Sequence, residues 1–145
     1  MNLAVAFNDS ARKNADKPAI FWGEEVIYYR HIAAQARWLA HELSGRLAVK
    51  PGDRVAIWLK NCPEFVPVLF GILEAGAVVV PINNFLKPDE VTYILKDSGA
   101  RVLVSDASAR EGTAKLRESI PGLQVLEVES LSSSSAPLPQ PPHTN

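Results

Sequence analysis

The chain has 145 residues, of which 47% are hydrophobic and 21% charged, and its formal net charge is −1 at pH 7. That apolar content suffices for the core of one ordinary domain. The near-neutral, interspersed charge excludes the basic surface needed for nucleic acid or an anionic membrane. The single cysteine, Cys62, excludes an intrachain disulfide and a thiolate metal cluster.

No apolar run approaches the roughly 18–20 residues of a membrane span, and the N-terminus lacks the basic region of a signal peptide. We therefore expect a cytoplasmic protein.

The first third of the chain predicts two helices that flank a β-hairpin. Apolar residues recur at helical spacing between residues 3 and 15, which predicts a short amphipathic helix. Residues 19–22 and 26–29 are apolar runs on either side of a glycine-containing turn, the pattern of a hairpin. Apolar positions spaced by three and four then predict a helix from Ile32 to about Ser44.

Strand and helix patterns alternate through the rest of the chain. Short β-branched runs without alternation are typical of parallel strands that are covered on both faces. The predicted elements are strands at 54–59, 78–80, 101–104 and 123–128, and helices between Asn61 and Gly76, from Pro88 to Ser98 and from Ala109 to Ser119. This order predicts an α/β fold with a parallel sheet flanked by helices on both faces, plus the small N-terminal hairpin.

Two segments depart from this regular pattern. The helix that ends at Gly76 is apolar all round, so we expect it to be covered on more than one side. Residues 130–145 are rich in serine and proline and predict a linker or a disordered tail, which places an α/β domain at residues 1–129. An ending inside such a segment suggests a chain that is cut rather than finished.

No catalytic motif is complete in this sequence. The spacing of Gly71 and Gly76 matches a phosphate-binding P-loop, but Ala77 follows where lysine is needed, so helix packing and a helix C-cap are the favoured roles. Cys62 lies at a strand-to-helix junction, where a nucleophile could be activated, but the sequence places no base beside it. Asp53 precedes its strand, which favours a role in a turn.

The remaining histidines and tryptophans predict no chemistry. His31 and His41 fall on the polar face of one helix and His143 falls in the tail, so surface positions are expected. Trp22, Trp38 and Trp58 lack interleaved basic residues, which favours packing over stacking on nucleic-acid bases. We therefore assign no catalytic residue and no metal ligand.

A crevice at the carboxyl ends of the predicted strands is the best place for a ligand. Ligands of open α/β sheets bind beyond these ends. The polar residues there are Lys60, Asn61, Asn83, Asn84, Ser105 and Asp106. Among them, Asn61, Asn83 and Asn84 are the candidate crevice residues, with helix capping and loop hydrogen bonds as the alternative role.

Several sequence blocks resemble the N-terminal region of AMP-forming acyl-CoA synthetases, the adenylate-forming (ANL) superfamily. The blocks are Asp16-Lys17-Pro18-Ala19-Ile20, Pro51-Gly52-Asp53-Arg54-Val55-Ala56-Ile57, Asn61-Cys62-Pro63-Glu64-Phe65, Leu73-Glu74-Ala75-Gly76-Ala77-Val78-Val79-Val80-Pro81-Ile82-Asn83 and Asp97-Ser98-Gly99-Ala100-Arg101. Their order and spacing agree with the family from about Leu3 to Asp106. The superfamily includes fatty-acyl, aryl and aminoacyl activators, and general likeness favours a resemblance to the fatty-acyl-CoA ligases. His31 stands where the family usually has glutamate.

The resemblance implies a parent enzyme that activates a carboxylic acid with ATP and Mg²⁺, releases pyrophosphate and passes the acyl group to CoA. The family's phosphate loop ending in Pro-Lys-Gly, its ribose-binding aspartate and its C-terminal lysine have no counterpart here. We therefore expect the chain to be part of an incomplete N-terminal domain, inactive alone, with the remainder of the ligase as its partner. Two alternatives stay open: an interaction module that pairs with itself or with a separate catalytic half, and a small-ligand-binding protein.

Overall fold

The computed structural model describes residues 2–132. Met1 and residues 133–145, which include His143 and most of the tail predicted at 130–145, lie outside the described residues. Six α-helices and six strands are assigned in this part of the chain, in the following order: α1 Leu3–Lys13, β1 Pro18–Trp22, β2 Glu25–Tyr28, α2 Tyr29–Ser44, β3 Arg54–Ile57, α3 Phe65–Glu74, β4 Val78–Pro81, α4 Pro88–Ser98, β5 Val102–Ser105, α5 Arg110–Ser119, β6 Gln124–Glu127 and α6 Glu129–Ser132. A 3-10 turn at Ala107–Ala109 leads into α5.

The four later strands form a parallel sheet in the order β4-β3-β5-β6. Val55 of β3 is in register with Val79 of β4 on one side and with Val102 of β5 on the other. The chain therefore moves outward from β3 to β4, crosses back to β5 and continues to β6. The predicted α/β fold with a parallel sheet is confirmed, and so is the separate antiparallel hairpin, which β1 and β2 form.

Side chains from alternate strand positions build a core on each face of the sheet. Val55 and Ile57 point to the core that receives α2 and α3, whereas Ala56 and Trp58 point to the core that receives α4 and α5. All four are at most 7% exposed. Burial on both faces explains why these strands lack alternation in the sequence, and it confirms helices on both sides of the sheet.

Helix α3 is covered from more than one direction, as its all-round apolar composition predicts. Val68 and Ile72 enter the sheet core, and Phe70 stacks on Phe7 of α1. Gly71 faces α2 so closely that a Cβ built on it would lie 2.8 Å from the backbone oxygen of Ala36. Much of the cover that this helix requires is therefore supplied by α1 and α2.

The folded part of the chain extends past the expected boundary at residue 129. Residues Glu129–Ser132 form the short helix α6, and Leu131 is 2% exposed within the same core as α2 and α3. The sequence does not predict the burial of Leu131, because the residues around it from position 130 onward are mostly polar. Elsewhere the predicted strand ends differ from the observed ones by one or two residues. Strand β3 ends at Ile57 rather than at residue 59, whereas β4 continues to Pro81, one residue past its predicted end.

Candidate functional site

An open cleft lies at the carboxyl ends of β3 and β5. These neighbouring strands are followed by helices on opposite faces of the sheet, since α3 packs in the core of Val55 and α5 in the core of Ala56. Such a point, where the winding reverses, opens a crevice beyond the strand ends. The cleft measures about 410 Å³, and its polar and aromatic wall includes Trp58, Lys60, Asn84, Asp106, Ser108 and Lys115.

Two buried polar residues at the end of β5 fix the shape of this cleft. The Ser105 hydroxyl, which is fully buried, donates to the Trp58 carbonyl oxygen at 2.8 Å. The Asp106 carboxylate, 2% exposed, accepts from the backbone N–H of Lys60 at 3.4 Å and from that of Ser108 at 2.9 Å. The Ser108 hydroxyl donates to the same carboxylate. These bonds join the loop after β3 to the loop after β5, so both walls are held at a set separation.

The floor of the cleft is apolar. Trp58 is 7% exposed, and the far edge of its six-membered ring lies against Gly112 of α5, where a built Cβ would be 2.8 Å from Cη2. Pro88, at the start of α4, also lines the cleft. Among residues 2–132, the indole Nε1 of Trp58 is the one buried side-chain donor or acceptor that has no hydrogen-bond partner. A buried donor in that state costs free energy, so it calls for an explanation.

Two lysines reach the rim of the cleft from different elements. Lys60 follows β3 and Lys115 lies on α5, and both side chains are exposed. Neither lysine takes part in an ion pair within the described part of the chain. Glu111 also lines the cleft, one helical turn before Lys115. The rim therefore combines two ammonium groups with one exposed carboxylate.

The three candidate crevice residues have different positions in the structure. Asn84 lines the cleft. Asn83 accepts a hydrogen bond from the Phe85 backbone N–H at 2.9 Å through Oδ1, which is the loop role given as the alternative. Asn61 is exposed and is not part of the cleft wall. Lys60 and Asp106 line the cleft together with Asn84. Ser105 is buried beneath the cleft and donates a hydrogen bond to the Trp58 carbonyl oxygen.

Sequence reasoning misses Trp58, Ser108 and Lys115 as cleft residues. The sequence favours packing for Trp58, and the residue does lie in the core, but its ring also forms the cleft floor. A usable signal for Ser108 is present: Asp106 stands at a strand end two residues before a serine, the pattern of a side chain that caps a turn. The sequence contains no such signal for Lys115, because whether this residue reaches the cleft depends on how α5 packs on the sheet.

The structure gives Cys62 no nucleophilic character. The pKa of the Cys62 thiol is raised to about 11, mainly by burial and further by the carboxylate of Glu64 through its charge and a hydrogen bond. The thiol is therefore protonated near neutral pH, unlike an activated cysteine. His31 and His41 are exposed on α2, as expected.

The other sequence motifs have structural roles. Gly71 lies inside α3, where it lets α2 approach, and Gly76 follows that helix at a φ of 77°. Asp53 accepts a hydrogen bond from the Lys50 backbone N–H at 2.8 Å and so closes the turn before β3. Within residues 2–132 no group of three or more His, Cys, Asp or Glu side chains is placed to hold a metal ion. No helix in the described ranges is long and apolar enough to cross a membrane.

The cleft offers hydrogen-bond donors and an apolar floor for binding. In the part of the chain that the structure describes, its one hydroxyl is that of Ser108, which donates to the Asp106 carboxylate. That carboxylate also accepts from two backbone N–H groups, so the pair closes a turn. The ammonium groups of Lys60 and Lys115 can hold an anion, and the Trp58 ring can pack against an apolar group. The arrangement is suited to a ligand rather than to a complete reaction.

Comparison with known proteins identifies relatives that are much longer. A long-chain-fatty-acid–CoA ligase of Salmonella typhimurium is 37% identical over 103 residues, which are 71% of this chain and 18% of that ligase. Surfactin synthase subunit 3 of Bacillus subtilis is 32% identical over 114 residues, which are 79% of this chain and 9% of that protein. The chain thus spans less than a fifth of the length of these relatives.

Solved structures agree with this relationship. The anthranilate CoA ligase AuaEII, solved in complex with anthranoyl-AMP, superposes with a TM-score of 0.81 at 29% identity, covering 90% of this chain and 25% of that one. The family model described as AMP-binding enzyme matches residues 7–144. The chain therefore belongs to the AMP-binding enzyme family, and it corresponds to a part of the N-terminal region of these adenylate-forming enzymes.

Proposed function

We propose that this chain serves as the N-terminal portion of a longer acid–CoA ligase, and that the parent enzyme activates a fatty acid. The observation that supports this most strongly is the 37% identity to a long-chain-fatty-acid–CoA ligase over 103 residues. In the proposed reaction the carboxylate of the acid attacks the α-phosphate of ATP and pyrophosphate leaves. The thiol of CoA then displaces AMP from the acyl carbon, and the thioester forms.

We infer that residues 2–132 do not form a site for ATP and Mg²⁺ by themselves. Gly71 and Gly76 belong to a packed helix and its end, not to a loop whose N–H groups cradle phosphates. The described residues also bring together no cluster of carboxylates for Mg²⁺. We therefore assign ATP, Mg²⁺ and CoA to the parent enzyme, and we infer that the 145-residue chain alone does not form adenylates.

The experiment compares the 145-residue chain with the longest product of its gene. Both are assayed for acid-dependent pyrophosphate release and for acyl-CoA formation, with short-chain, long-chain and aromatic acids. The proposal expects thioester formation by a longer product, fastest with a long-chain acid, and none by the 145-residue chain. Adenylate formation by the 145-residue chain would overturn the inference of inactivity, and preference for an aromatic acid would overturn the fatty-acid assignment.

An assembly module is a second candidate, because the hairpin has exposed apolar side chains. Phe21 is 72% exposed, Trp22 42% and Val26 41%. Apolar groups that cluster on a surface favour contact with another protein surface. Analytical ultracentrifugation of the chain over a wide dilution range distinguishes the two functions: a dimer that persists at low concentration, and dissociates in Phe21→Ser, would favour assembly, whereas a monomer throughout would count against self-assembly.

A further inference from the structure

We propose that the cleft between β3 and β5 binds a small molecule that carries an oxyanion on a flat apolar body. The oxyanion, a carboxylate or a phosphate, would lie between Lys60 and Lys115. The apolar body would lie on the floor formed by Trp58 and Pro88. This site belongs to the 145-residue chain itself, so it does not depend on the ligase activity of a longer protein.

The cleft lies where ligands of open α/β sheets bind. It opens where the helices after two adjacent parallel strands diverge to opposite faces of the sheet. At this place backbone and side-chain groups converge without a helix to cover them, which is why ligands of open α/β sheets bind there. Its volume of about 410 Å³ falls within the range of small-molecule sites.

The charged groups of the cleft favour an anionic ligand. Asp106 is 2% exposed and its carboxylate already accepts from Lys60 N–H, Ser108 N–H and the Ser108 hydroxyl, so its acceptor capacity is directed inward. Glu111 is exposed on the rim and lies one turn from Lys115, which reduces the positive potential on that side. Lys60 and Lys115 remain as the cationic donors that converge from two elements on one space, with no ion pair to either in residues 2–132.

The indole N–H of Trp58 favours a ligand that carries a hydrogen-bond acceptor. Its Nε1 is buried and lacks an acceptor among the described residues, although the ring lines the cleft. Buried indole N–H groups usually find a partner. An acceptor seated in the cleft would supply one, because Trp58 is among the residues that line it.

Nuclear magnetic resonance of the indole N–H groups tests the proposal directly. The chain has three tryptophans, and Trp58→Phe identifies the Trp58 cross-peak. The ¹⁵N-labelled chain is titrated with benzoate, phenyl phosphate and inorganic phosphate. We expect a saturable shift of the Trp58 indole peak with an aromatic oxyanion at concentrations below about 10 mM, and a weaker response to inorganic phosphate. Benzoate and phenyl phosphate distinguish a carboxylate ligand from a phosphate ligand.

Two variants assign the shift to the cleft. Lys60→Ala with Lys115→Ala should weaken binding by about tenfold or more, because charge-assisted hydrogen bonds are lost. Lys96→Ala is the matched control, since this lysine is exposed near the opposite end of α4 and lines no part of the cleft. All of these replacements are at exposed positions, and unchanged backbone spectra would show that the fold is kept.

Two results would overturn the proposal. The site does not exist as proposed if no probe shifts the Trp58 indole peak and ligand-observed saturation transfer also detects no binding. The same conclusion follows from a saturable shift that is equal in the Lys60/Lys115 double variant and in the Lys96→Ala control. None of these readouts uses the ligase reaction, so they separate failure of this site from failure of the proposed parent activity.

Discussion

The rings of Phe7 on α1 and Phe70 on α3 stack with their centroids 4.2 Å apart and their planes 10° apart. This contact attaches the N-terminal helix to the most apolar helix of the domain. Aromatic pairs contribute free energy beyond the area that they bury, so α1 is held by more than its small buried alanines.

Phe7→Ala tests the contribution of this pair. We expect the free energy of unfolding to fall by about 1–3 kcal/mol, because a half-buried ring and its stacking partner are both affected. Urea denaturation measures the change. Leu3→Ala on the same helix is the control, since Leu3 is 61% exposed, and equal losses for the two variants would mean that the stacking has no special role.

Asp106→Ala tests the polar link between the loops after β3 and β5. The change removes an acceptor that serves the Lys60 and Ser108 N–H groups, and we expect a loss of about 1–3 kcal/mol in the free energy of unfolding. Thermal and urea denaturation measure it. Asp97→Ala, at an exposed position on α4, should change stability by less than about 0.5 kcal/mol. A small effect at Asp106 would show that water replaces its hydrogen bonds.

Enlarging Gly71 tests the close approach of α2 and α3. A Cβ there would lie 2.8 Å from the Ala36 backbone oxygen and 2.9 Å from the Leu39 Cβ, so the helices must separate. We expect Gly71→Ala to lower the free energy of unfolding by about 1–2 kcal/mol despite the better helix propensity of alanine, and Gly71→Ser to lower it further. Ala114→Ser, at an exposed position of α5, is the control. Wild-type stability in Gly71→Ser would contradict the close packing.

The reactivity of Cys62 has a pH dependence that can be measured by alkylation. Burial and the Glu64 carboxylate raise the pKa of this thiol to about 11 from an ordinary value of 9.0, so the rate with iodoacetamide should rise until about that pH. Because the folded state disfavours the thiolate, the contribution of this group to stability is kept below pH 9 and is lost as the pH rises toward 11.

Glu64→Gln provides the matched test of the cause. Removing the carboxylate charge should move the midpoint of the alkylation profile to lower pH, whereas burial keeps it above the ordinary value. Glu118→Gln, an exposed change on α5, should leave the profile unchanged. A wild-type midpoint near 9 would show that the thiol is not shielded in the folded chain.

The sequence predicts where the helices and strands of this fold lie better than it predicts which of them are adjacent in space. The β-branched run at Val78 and the periodicity around Leu39 depend on local spacing, and both elements are present where expected. The order β4-β3-β5-β6 depends on which strands meet after folding, and no local pattern records it. The burial of Leu131 is not predicted for a related reason. A single apolar residue among serines shows no local pattern, and its place in the core depends on the elements that pack around it.

The sequence predicts the location of the cleft but not the full set of residues that line it. The rule for parallel strands indicates the carboxyl ends, and Asn84, Lys60 and Asp106 do meet there. The rule does not separate residues that face the cleft from those that close a loop, so Asn83 and Asn84 are adjacent in sequence but differ in role. Lys115 comes from a helix surface, and its approach follows from the packing of α5.

The central position of β3 has a consequence for synthesis on the ribosome. This strand pairs with β4 on one side and with β5 on the other, and both partners are made after it. Until Ser105 has left the exit tunnel, the edge of β3 that β5 later pairs with is open, and the face of the nascent sheet that α5 later covers is in contact with water. During that interval the growing chain exposes backbone and apolar surface of the kind that chaperones bind, so slower translation of the segment before β5 should increase chaperone association.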